Sequence, residues 1–370
     1  MSAATRRRPA ARALLAIPAG LALLVGIDAG LGLMHVWAPV ESGRLESVHG
    51  VLMVLGFVGT LIALERAVAL GRPLGYAAPG LLGAGALGLL NARTDHVAGW
   101  FIVAGALAMC LVYVPLWRRQ RDDAVLISAL GAVAALGGAL LWRGGADTSV
   151  TIPWLAGFLI LTIAGERLEL ARLAMPPRAG RDLVLLAAAV LTGIAAATLF
   201  PVVGAPLLGL AVLALAAWLV THDVARRTVR GSGLPRFAAY CMLAGQAWLA
   251  IAGAIWLVAG RVLSGPAYDA VVHAVFLGFA ISMIMAHAPS ILPAVTRVPL
   301  PYRPVMYLPW ALLQVSLVVR LWGGDALGNE LARQVGGAGN ALALLLFLLV
   351  AVGSAVVGTA PATRREAVPA

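Results

Sequence analysis

Stretches of about twenty apolar residues return twelve times along this chain of 370 residues, with only short polar connections between them. In hydrocarbon a segment must satisfy every backbone N–H and C=O by itself, so each stretch is predicted to be a helix. The twelve candidates are 13–35, 47–69, 75–92, 97–117, 123–142, 151–173, 182–202, 204–222, 236–260, 268–291, 304–322 and 335–358. With 61% hydrophobic and 12% charged residues, the chain cannot cover its surface with polar groups as a water-soluble domain does. The expected fold is all-α: one integral membrane domain over 1–370, embedded in a lipid bilayer and crossing it about twelve times. The third and seventh spans are the weakest, because Gly and Pro interrupt them.

Charge orients the spans. All 27 basic residues are Arg, scattered through short loops rather than gathered on one face, which argues against a nucleic-acid partner. Alternating the spans from a cytoplasmic N-terminus leaves only Arg44, Arg93, Arg143, Arg261, Arg320 and Arg333 outside, against 21 inside. Under the positive-inside rule both termini are then cytoplasmic, in a bacterial-type inner (plasma) membrane. The charged start and apolar body of the N-terminus look like a signal peptide, but the apolar run is long and lacks a convincing cleavage site, so an uncleaved first span is expected. Cys110 and Cys241 fall in apolar segments, with no metal-type spacing.

A weak internal repeat links three spans. Gly56-Phe57 is followed by Glu65-Arg66, and Gly157-Phe158 by Glu166-Arg167, with Glu nine positions after Gly in both; the position equivalent to Glu after Gly278-Phe279 is His287. The spans at 47–69, 151–173 and 268–291 are each four apart and run in the same direction. This predicts three four-helix units about a pseudo-threefold axis.

Ionisable groups inside a span cost free energy and by default mark functional sites. His49, seven residues before Gly56, and His273, five before Gly278, lie at the outer level of their spans, as does His35 at the end of the first. Imidazole is the common ligand of haem iron, copper and zinc, and a haem between two helices takes one His from each. His49 and His273 are therefore the candidate cofactor-binding pair. His35, His49, His273 and His287 are candidate metal ligands, with His35 as third ligand or copper partner. Glu65, Glu166 and His287 form a second level near the cytoplasmic face and are candidates for a proton relay, although the Glu-Arg pairs also read as interfacial ion pairs. Asp28 is the other embedded acid; His96 and His222 read as solvated.

The run His49-Gly50-Val51-Leu52-Met53 resembles the haem-bearing second helix of the haem-copper oxidase catalytic subunit, as do the twelve spans and the threefold plan. In size the chain is more similar to the NnrS family of haem- and copper-containing membrane proteins linked to nitric oxide metabolism. In that family, spans carry His followed by a Gly-Phe element, here His273 with Gly278-Phe279. The resemblance implies b-type haem between His49 and His273, with copper as a further cofactor. An oxygen-reducing centre needs more histidines on the sixth, seventh and tenth spans, where this chain has Glu166, no His, and a single His273 at that level.

The leading expectation is an electron-transfer or nitric oxide-handling protein with a redox partner on the outer face. Two others stand beside it: a proton-coupled secondary transporter or channel using His287, Glu65 and Glu166, and an assembly factor whose histidines are structural.

Overall fold

The computed structural model describes residues 12, 14–40 and 42–359. Arg6, Arg7, Arg8, Arg364 and Arg365, which carry part of the expected charge bias, lie outside the described residues. The chain is all helical, with no strand among the described residues. The helices are α1 (Ile17–Leu33), α2 (Gly43–Leu70), α3 (Ala77–Gly88), α4 (Asp95–Gln120), α5 (Asp123–Arg143), α6 (Thr148–Leu170), α7 (Ala179–Leu199), α8 (Pro201–His222), α9 (Gly233–Ala259), α10 (Gly265–Thr296), α11 (Pro304–Ala326) and α12 (Glu330–Thr359). They fall at the twelve expected segments. Ten of them are long and apolar enough to cross a membrane. The exceptions are α1, with 17 residues, and α3, with 12, which follows a 3-10 turn begun by Pro73. At about 1.5 Å per residue, these two reach roughly 26 and 18 Å against a hydrocarbon core of about 30 Å. The seventh span, despite its glycine, is a full helix of 21 residues, and Pro201 opens the next helix.

Small residues set the packing. Helices in lipid gain little from burying apolar surface against one another, so close backbone approach has to supply dispersion contact. A Cβ on Gly105 of α4 would stand 2.8 Å from the Leu82 backbone nitrogen of α3. On Gly336 of α12 it would stand 2.5 Å from the Arg320 nitrogen of α11.

The three repeat-bearing helices form the centre. In α2, α6 and α10, 67%, 78% and 72% of the most apolar window is buried, against 17–56% in the other seven long helices. Three helices also change winding. Leu52–Gly59 of α2, Ala274–Ile281 of α10 and Val319–Ala326 of α11 are π-helical, whereas α6 stays α-helical throughout. Such segments are rare and collect at functional sites.

Candidate functional site

Each π-segment contributes to one cavity. Its volume is about 600 Å³, and it lies among the first halves of α2, α6 and α10, the end of α1, and α11 and α12 near their junction. Met53 and Phe57 come from the first π-segment, Phe276 and Ile281 from the second, and Arg320 from the third. The lining is graded. Toward the helix ends stand Glu46, Ser47, Asp269, Arg320 and Arg333; deeper in, the walls are Val54, Phe57, Leu159, Phe276 and Ile281. A cavity of this size, mostly apolar with a few convergent polar groups, is the usual form of a small-molecule or cofactor site.

His49 and His273 both line it. The Nδ1 of His49 lies 2.7 Å from the Gly26 carbonyl of α1. A carbonyl only accepts, so Nδ1 carries the proton and donates it. In the neutral ring Nε2 is then left with a lone pair and no hydrogen-bond partner among the described residues. Gly30, one turn along α1, makes room for the ring: a Cβ there would stand 3.0 Å from His49 Cε1. His273 repeats the arrangement. Its Nδ1 lies 2.9 Å from the Asp269 carbonyl and 3.1 Å from Asp269 Oδ1, again acceptors, and its Nε2 has no partner among the described residues. Two helices, 224 residues apart at these histidines, thus present to one cavity imidazoles whose Nδ1 is held and whose Nε2 is available.

The other predicted residues lie elsewhere. His35 is exposed in the connection after α1, in left-handed backbone at φ 54, and is not among the cavity-lining residues. Among the described residues no group of three His, Cys, Asp or Glu is placed to hold a metal ion. Both ring nitrogens of His287 are used: Nδ1 donates to the Met283 carbonyl at 2.7 Å, and Nε2 accepts from Arg167 Nη1 at 2.8 Å. Asp28 accepts from the Val40 amide at 3.1 Å through Oδ1, while its Oδ2 is buried without a partner. His222 stacks on Trp218 with ring centroids 4.6 Å apart.

His287 belongs to a buried ionic layer at the opposite end of the bundle. Arg66 reaches Glu65 at 2.6 Å, Glu166 at 3.6 Å and Glu169 at 3.4 Å. Arg167 forks onto Asp223 at 2.8 and 2.9 Å, and Gln246 donates to the same carboxylate at 3.3 Å. Arg66 and Arg167 are both buried. Arg66 of α2 meets Glu166 of α6, and Arg167 of α6 meets His287 of α10, so the repeat positions join the three central helices in series.

Sequence reasoning missed Asp269, Arg320, Asp223 and Gln246. Asp269 precedes His273 by four residues, one helical turn, and that spacing was a usable signal. Arg320 and Arg333 are two of the six arginines on the arginine-poor side, an exception that also pointed here.

Fold and cavity together define a multi-span helical membrane protein with an amphiphilic site between two partnered histidines. From residue 12 to residue 356 the sequence matches the family described as Domain of unknown function (DUF8744), and the chain belongs to that family. Comparison with curated proteins gives no match.

Proposed function

We propose that the cavity holds a b-type haem between His49 and His273, and that the protein transfers electrons or handles a diatomic gas such as nitric oxide. One observation carries this reading: two imidazoles from distant helices share a cavity, each with Nδ1 bonded to an oxygen and Nε2 available. Histidine ligands of metals are held in this way, the Nδ1 bond fixing tautomer and ring plane. The grading of the lining adds support, since a haem has an apolar macrocycle and a polar edge, and the lining passes from apolar walls to a polar end. When bound, the group would supply one-electron chemistry and a position for a small ligand. The chain's own contribution is to orient both ligands and to keep the deeper walls apolar.

The proposal places the protein in a bacterial-type inner membrane with both termini cytoplasmic and the cavity toward the outer face, where a redox partner would dock. Arginine distribution supports that orientation. The test is the visible spectrum, oxidised and reduced, of protein purified in detergent after haem-replete expression, beside His49→Ala and His273→Ala. A colourless wild type would end the proposal, and spectra unchanged in both variants would end the ligand assignment.

A second reading, proton-coupled transport, draws on the buried layer containing Glu65, Glu166 and His287. It requires substrate or proton flux in liposomes that disappears in His287→Ala.

A further inference from the structure

The two histidines are not held alike. The Nδ1 proton of His49 meets only the neutral Gly26 carbonyl, at 2.7 Å. That of His273 goes to the Asp269 carbonyl at 2.9 Å and has the charged Asp269 carboxylate beside it, with Oδ1 3.1 Å from Nδ1. Arg320 in turn fixes the carboxylate, Nε to Oδ2 at 2.9 Å and Nη2 to Oδ1 at 2.8 Å, the bidentate geometry that holds a carboxylate in one plane. Arg320 is itself 6% exposed, and the close backbone approach of Gly336 on α12 confines it. The geometry of Asp269 and Arg320 converges on one imidazole nitrogen.

We infer that Asp269, clamped by Arg320, is a positioning residue that makes His273 a stronger electron donor through Nε2 than His49. This rests on the haem reading and deepens it. A carboxylate beside Nδ1–H draws the proton toward itself and leaves more electron density at the opposite nitrogen; a neutral carbonyl does so less. The two histidines would thereby hold a haem unequally, His273 as the stronger donor and His49 as the weaker. The two hydrogen bonds from Arg320 hold the Asp269 carboxylate in place beside the ring.

The experiment compares wild type, Asp269→Asn and Asp269→Glu, purified with haem, by spectroelectrochemical titration and by haem transfer to an apo-haem acceptor protein. Asn keeps an oxygen near Nδ1 but loses the charge. The expected result is a higher midpoint potential and haem bound about 10–100-fold more weakly, the usual cost of removing such a partner. Asp269→Glu, which keeps the charge, should recover most of both; a merely structural role would move the affinity but not the potential. If Asp269→Asn does not yield monodisperse protein, Arg320→Lys carries the comparison: it keeps the positive charge but loses the bidentate clamp, and it should shift the potential in the same direction by less. A potential and affinity equal to wild type in the folded variant would overturn the inference while leaving the haem reading intact. A wild type without haem would overturn both.

Discussion

Arg167 Nη1 donates to His287 Nε2 at 2.8 Å while the rest of the same guanidinium grips Asp223. This contact separates the two histidines of α10. His287 has both nitrogens committed to the protein, whereas His273 has one to offer.

Replacing His287 by Ala should therefore cost stability and leave the cavity alone. Losing the acceptor leaves Arg167 Nη1 buried and unpaired, at about 1–3 kcal/mol. Thermal unfolding in detergent should show the loss, and the haem spectrum should match wild type. A spectrum lost with the fold intact would return His287 to the list of ligands.

Asp223→Ala should be the most damaging single change in the ionic layer. It strips a buried arginine, 3% exposed, of its counter-charge. Breaking such a pair costs about 3–5 kcal/mol, and replacing both partners by apolar groups costs much less. The double variant Asp223→Leu with Arg167→Met should thus be more stable than Asp223→Ala alone, measured by the same melts.

Gly30→Val tests the seat of His49. The new side chain would push the ring, whose Cε1 would lie 3.0 Å from the added Cβ. Binding of haem should fall while the melting temperature of the protein without haem stays close to wild type, since α1 keeps its helix. Full binding in Gly30→Val would mean that His49 does not need its observed position.

Sidedness can be read with thiols. Trp37, 79% exposed in the α1–α2 connection, and Arg178, exposed before α7, lie at opposite ends of the bundle. In intact cells stripped of their outer layer, an impermeant maleimide should label Trp37→Cys and spare Arg178→Cys until the membrane is opened. The reverse pattern would invert the proposed orientation.

Much of this architecture was legible because bilayer physics is severe: apolar length located the twelve helices. The Glu-Arg offset located the central three, since only buried helices keep charged pairs at one depth. Winding was not legible. Directions read for His49 and His273 from their spacing to Gly56 and Gly278 would assume 3.6 residues per turn. Both intervals run into π-helix, which no residue pattern marks. Depth also misled for His35, which shares the level of His49 but turns to solvent in left-handed backbone. Arg44, another of the six exceptions, proves structural: it donates to the carbonyls of Leu89 and Leu90, each at 2.6 Å, closing the end of α3.

The cavity draws most of its walls from the first and last thirds of the chain, with Thr148, Ile152 and Leu159 of α6 completing them, and Met34 after α1 packs against Gly337 of α12. Residues are added to a growing chain at about 5–20 per second, so the 224 between His49 and His273 take roughly 10–45 s to make. During that interval His49 sits in the membrane with no opposing helix. The site is among the last things the ribosome completes, because His273 and Arg320 reach it only with α10 and α11.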